Sequence, residues 1–179
     1  MHRKHFNQLL LNTFLANVTV GYLWFALTFW VYLETRSVLA TAFIGGAYML
    51  LTAVVGVPFG TWVDRTRKKR VMLVAQVFTT VAFSLAFAVY LLTPRADLLR
   101  IGGWQFVLFV SLTLLGAVVE SARNIALSTC VTLMVDESER DKVNGLVGMV
   151  SGLGFAVTSV FSGLSVGQLG MTWTIPTAV

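Results

Sequence analysis

The sequence predicts an all-α, polytopic transmembrane helix bundle, and three observations carry that reading. Of 179 residues, 56% are hydrophobic and only 12% are charged, whereas a soluble domain carries about 25% charged residues. The apolar residues come in long blocks instead of the alternation expected of a half-buried strand. Each block reaches the roughly 20 residues that a helix needs to cross the hydrocarbon core.

The first block, 8–33, follows a basic head containing Arg3 and Lys4. A signal peptide begins in the same way, but this apolar run is about 25 residues, against roughly 7–15 in a signal sequence. No small-residue cleavage site closes it before Tyr22, so it is read as a retained first span. Its aromatic cluster, Trp24, Phe25, Phe29, Trp30 and Tyr32, is expected to form an interfacial belt with Trp104 and Phe106 at the start of span four. Blocks two and three, 38–63 and 71–92, are apolar throughout and separated by a short charged run. Block four, 104–135, holds Glu120, Arg123 and Asn124. Block five, 143–169, carries Gly148, Gly152, Ala156, Ser159, Gly163 and Gly167 at steps of three and four. That stripe lets another backbone approach closely, as a packing surface or as an interface between helices that move. After Gly170, "MTWTIPTAV" opens a sixth apolar stretch, too short to cross by itself.

Lys and Arg in the gaps set the orientation. Nine lie at the N-terminus and in gaps two and four; three, Arg36, Arg95 and Arg100, lie in gaps one and three. The N-terminus and the even gaps are therefore expected in the cytoplasm, the protein being multi-pass in the plasma membrane with the lipid bilayer as its first partner. The net charge of +5 is thus explained without nucleic acid, whose binders spread basic residues over a soluble face. A single cysteine, Cys130, leaves no internal disulfide or cysteine-rich metal site. Both histidines, His2 and His5, lie in the head. With no histidine in a span and no pair of intramembrane carboxylates, an enzyme site is not expected, nor a bound cofactor or metal. No Gly-x-x-x-x-Gly-Lys-[Ser/Thr] run is present, so transport would draw on a proton or ion gradient.

The charged run between blocks two and three reads "GTWVDRTRKKR". A positive-inside loop accounts for its Lys and Arg but not for Gly60 and Asp64, an acid at the end of an apolar span being costly unless paired or wetted. In the order Gly60, Asp64, Arg65, Lys68, Lys69, the run resembles the signature between the second and third helices of the major facilitator superfamily of transporters. Arg67 stands where that family usually has Gly. Spans one to five follow the N-terminal half of the family, most closely its drug-exporting branch with macrolide-efflux-type members.

The resemblance implies two related six-helix bundles and alternating access to a small-molecule substrate held between them. Here it implies an incomplete N-terminal half, 1–179, with the C-terminal half as a missing partner. It also implies a cytoplasmic gate in which Asp64 meets a helix end of the opposite half and Arg65 pairs with an acid after span four, Asp136 or Glu137. Helix one lines the cavity in the family, so Asn17 is a substrate contact or, more plainly, a helix-to-helix hydrogen bond. Glu120 and Arg123, three apart and on one helix face, are a cavity-facing coupling site or a structural pair near the headgroups. In span five, Gly154 and Gly163 match the exporters' pattern, whereas Thr158, Ser159 and Ser162 replace Gly, Pro and Gly. The alternative function is a non-transporting membrane scaffold that keeps the half-bundle for assembly.

Overall fold

A computed structural model describes residues 3–134 and 137–175, with side chains described from residue 11 onward except 13 and 131–134. Its elements are α1 (Arg3–Thr35), α2 (Val38–Arg65), α3 (Lys68–Leu92), α4 (Arg95–Leu98), α5 (Trp104–Met134), a 3-10 turn (Glu137–Glu139), α6 (Arg140–Leu169) and α7 (Met171–Thr174). Helices α1, α2, α3, α5 and α6 are long and apolar enough to cross a membrane. The five expected spans are all present, and no strand occurs among the described residues.

The helices outrun their apolar blocks. Helix α2 continues to Arg65 and α3 starts at Lys68, so Thr66 and Arg67 alone connect them. Arg67 has φ −61° and ψ 119°, a conformation open to any residue. The connection therefore has no need of the glycine found there in the family. At the other end of α2, the Ser37 hydroxyl accepts from the Ala40 amide at 3.2 Å, a serine N-cap. Just before it, Arg36 has φ 53°, and its amide donates to the Tyr32 carbonyl at 2.8 Å. That is the left-handed stop in which glycine is preferred, because a side chain there meets the backbone. Arg36→Gly is expected to stabilise the protein by about 1 kcal/mol, read as a higher unfolding temperature in detergent. No rise would show that Arg36 has contacts outweighing the strain.

Helix α3 packs on α5, α1 on α6, and α2 on α5 and α1. Surrounding lipid is as apolar as the side chains, so helices associate through close van der Waals contact and hydrogen bonds. Small residues supply the closeness. On α3, Ala75, Thr79, Ala82 and Ala86 lie on the buried face with Phe83, and Thr79 donates to the Gly116 carbonyl of α5 at 3.0 Å. On α6 the buried face is Val143, Gly154, Thr158, Ser162 and Val166, and it runs along α1. The Thr158 hydroxyl sits 3.0 Å from where a Gly21 side chain would begin. It is itself satisfied by the Gly154 carbonyl at 2.8 Å, which lets a hydroxyl be buried there.

Among the described residues, the contact face of α6 differs from the stripe expected on span five. Gly148, Gly152 and Gly167 have nothing within 4 Å of a would-be side chain, and of the four stripe glycines Gly163 packs, against the Phe29 ring at 3.4 Å. The contact face is rotated to Gly154, Thr158 and Ser162. Both sets recur at helical spacing in an apolar background, so periodicity alone does not separate them.

The aromatic belt is corrected as well. Trp30 and Phe106 are buried, and Trp30 meets Phe109 edge-on at 5.5 Å and Tyr90 at 5.9 Å. Each such pair contributes about 0.5–1.5 kcal/mol. Phe29, Tyr32 and Trp104 are exposed, as a belt requires. The same end of the bundle is closed by α4 and by α7 with its C-cap, which bury Leu98, Met171 and the cap residue Ile175 in the core. Arg95 and Glu34 form an ion pair across it at 2.5 Å.

Candidate functional site

The helix pairs leave a cavity of about 740 Å³ bounded by α1, α2, α5 and α6. Its apolar walls include Trp24 and Phe25 of α1, Tyr48 and Met49 of α2, and Phe155 of α6. Trp24 lies against Tyr48 with ring centres 4.5 Å apart, and Phe25 meets Phe155 edge-on at 4.9 Å. One turn separates Asn17 from Gly21 and another reaches Trp24 and Phe25, so a single face of α1 presents amide, gap and rings in succession.

The polar part of the wall is a connected set. Glu120 lines the cavity from α5, with only 2% of its surface exposed, and Arg123 has 1%. Arg123 Nε donates to Glu120 Oε1 within one turn of α5. Arg123 Nη2 reaches Asn17 Oδ1 and Asn124 Oδ1, both at 3.4 Å. Asn17 Nδ2 in turn donates to the Ser151 hydroxyl of α6 at 3.1 Å. One charge pair on α5 is thereby tied to α1 and α6. Glu120 Oε2 and Arg123 Nη1 are buried without a hydrogen-bond partner among the described residues. Buried polar groups are normally paired, so the pair keeps one unmet acceptor and one unmet donor, on a network of which Glu120 lines the cavity.

The structure therefore brings Asn17, Glu120 and Arg123 together. Asn17 makes the helix-to-helix hydrogen bond, to Ser151 of α6, and its side chain borders the cavity. Tyr48, Ser151 and Phe155 were not marked by the sequence: they are ordinary apolar or small residues of their spans, and only the packing of α2 and α6 around α1 turns them inward.

The gate run lies at the end of α2. Val63, directly before Asp64, is fully buried with Val71 of α3 and Ala122 and Ala126 of α5, which fixes the start of the run. Asp64, Arg65 and Lys69 are exposed. Lys68 Nζ donates to the Asp64 backbone carbonyl at 3.3 Å. Among the described residues no ion pair reaches Asp64 or Arg65, and Glu137 is exposed. Asp136, the other expected partner of Arg65, lies outside the described residues. Gly60 has nothing within 4 Å of a would-be side chain.

Five membrane-length helices, four of them bounding a cavity beside a buried charge network, define a multi-pass membrane protein. The family model for the Major Facilitator Superfamily matches residues 9–177. The chain belongs to that superfamily, whose members are transporters. No curated protein and no solved structure matches it.

Proposed function

We propose that the protein is a secondary active transporter that exports small drug-like molecules by alternating access across the plasma membrane, with its N-terminus in the cytoplasm. The observation that carries this is the cavity of about 740 Å³, within the roughly 300–1,000 Å³ that encloses a drug-sized ligand. Its mostly apolar wall with a few convergent polar groups suits amphipathic solutes. The described helices form one wall of the path, and a second bundle supplies the other. Glu120, Arg123 and Asn17 are the substrate-side network. Titration of Glu120 or rupture of its pair with Arg123 would couple an ion gradient to the cavity, since both groups lie where a change of charge is felt by the solute and by three helices.

Asp64 and Arg65 act as one half of a latch, held out at the end of α2 on the Val63 anchor. A latch that biases two states by about 1 kcal/mol changes their ratio about fivefold. Asp64→Asn is accordingly expected to lower efflux by about fivefold or more at unchanged membrane abundance. The measurement is accumulation of a fluorescent amphipathic solute in cells expressing the protein from its own gene, with and without a protonophore. Accumulation that ignores both the protein and the protonophore would reject transport and leave the scaffold role. Normal efflux by the Asp64→Asn protein would reject the latch alone.

A further inference from the structure

Independently of the transport reading, we propose that the connection between α2 and α3 seats a phospholipid with an anionic headgroup. Arg67 and Arg70 take its phosphate, and an acyl chain lies along the outer face of α3. The fold gathers Arg65, Arg67, Lys68, Lys69 and Arg70 at one place, because Thr66 and Arg67 alone join the two helices. Arg65, Arg67, Lys69 and Arg70 are exposed, whereas Lys68 turns its Nζ onto the Asp64 backbone carbonyl. Among the described residues no ion pair reaches any of the five, although Glu137, Glu139 and Asp141 lie exposed at the same end of the bundle. Lys68, Lys69 and Arg70 also stand in the first turn of α3, which holds no acid, and the helix dipole repels cations there. Charge gathered against its own repulsion and the dipole is offset by an anion from outside. The gate does not account for it all, since Arg67 and Arg70 fall outside the order Gly60, Asp64, Arg65, Lys68, Lys69.

The surface below Arg70 identifies the anion. One face of α3 is buried through Val71, Ala75, Thr79, Ala82, Phe83 and Ala86. The opposite face exposes Leu73, Val74, Val77, Val81 and Leu85, which share the side of the helix that Arg70 occupies. From Arg70 to Val81 this stripe runs about 16 Å at 1.5 Å per residue, the depth of one leaflet in a hydrocarbon core of about 30 Å. A basic head above an apolar stripe of that length matches the phosphate and chain of one phospholipid. A free phosphate or a nucleic acid would use the cations and leave the stripe empty. Guanidinium groups hold phosphate through two parallel hydrogen bonds, and each Lys or Arg near an anionic lipid surface favours binding about fivefold. A zwitterionic headgroup carries its own cation beside the phosphate and gains less.

The test uses the purified full chain in phosphatidylcholine nanodiscs with a trace of photoreactive lipid. The probe is phosphatidylglycerol or phosphatidylcholine carrying a diazirine midway along one acyl chain, and labelled peptides are read by mass spectrometry. Trypsin cuts after Arg70 and Arg95, which releases 71–95 with the stripe, and after Lys142, which releases 143–179 with most of α6 as the reference. The glycerol probe is expected to label 71–95, relative to 143–179, about fivefold or more better than the choline probe. R67Q/R70Q leaves Asp64 and Arg65 in place and is expected to remove most of that preference, whereas R67K/R70K keeps it. Equal labelling of 71–95 by the two probes would overturn the proposal. So would a preference spread evenly over both fragments, which is diffuse attraction to the whole face, or one that survives in R67Q/R70Q. Dioctanoyl phosphatidylglycerol is expected to displace the probe, and glycerol 3-phosphate or an RNA oligonucleotide at the same concentration is not. Displacement by either of those two would give the cations to a soluble partner and overturn the lipid seat. The comparison of the two probes needs no variant, so it decides the matter even where R67Q/R70Q folds poorly.

Discussion

Arg123→Ala is expected to cost the protein about 3–5 kcal/mol of stability, because it leaves a buried carboxylate with no counter-charge. Glu120 has 2% of its surface exposed, and its paired oxygen, Oε1, takes the Arg123 Nε–H. Removal of the guanidinium also strips a donor from Asn17 and Asn124, so α1 loses its polar tie to α5. The check is unfolding of the purified variant in detergent, by temperature or by denaturing detergent, beside E120Q/R123Q. The double variant has no ion to strand, and replacement of a whole buried pair by neutral groups is often close to neutral. It is expected to recover most of the loss, and that recovery is the informative part. A double variant as damaged as Arg123→Ala would mean that shape or the Asn17 bond matters, not charge. An Arg123→Ala protein as stable as the native one would mean that water reaches Glu120 in solution.

The contrast between what the sequence revealed and what it hid follows from the range of the forces involved. Spans are a property of consecutive residues, so hydropathy located all five, and the order Gly60, Asp64, Arg65 was legible because the family resemblance is a linear pattern. Glu120 and Arg123 could be paired on paper since positions three apart share a helix face. Their third partner could not: Asn17 lies 106 positions from Arg123 and is one of several polar residues in span one. Trp24 and Trp30 illustrate the same limit. Both belong to an aromatic run that suits an interface, yet one lines the cavity and the other is buried against Phe109. In a membrane protein the outer surface is as apolar as the core, so hydrophobicity does not say which way a ring points. The face of α6 that meets α1 was hidden for that reason too. Thr158 and Ser162 pass as surface residues until their hydroxyls are seen bonded to the helix's own carbonyls. Arg67 was read as a departure from a glycine turn, but local backbone geometry makes it unremarkable there.

Gly116→Ala is expected to destabilise the bundle by about 1–3 kcal/mol, although the same change at an open helix position would stabilise it by about 1 kcal/mol through helix propensity. The sign is decided by Phe83. A side chain at Gly116 would begin 2.6 Å from the Phe83 Cε1 atom and 2.9 Å from Cδ1, inside any tolerable carbon contact. The ring has nowhere to go. It belongs to the core with Leu23, Trp30 and Phe109, and the cavity beside it is about 10 Å³, near the volume of a single water probe. If the α3 and α5 backbones separate to make room, the Thr79 bond to the Gly116 carbonyl, 3.0 Å long, is stretched as well. Gly148→Ala supplies the comparison, since nothing lies within 4 Å of a side chain there, and it is expected to be neutral or slightly stabilising. The unfolding midpoint of Gly116→Ala should therefore fall while that of Gly148→Ala holds or rises. Phe83→Leu placed on Gly116→Ala should return part of the loss, because two residues in contact do not act additively. A Gly116→Ala midpoint at or above the native value, or a Phe83→Leu effect that merely adds, would show that α3 and α5 are packed less closely in the membrane than at this glycine.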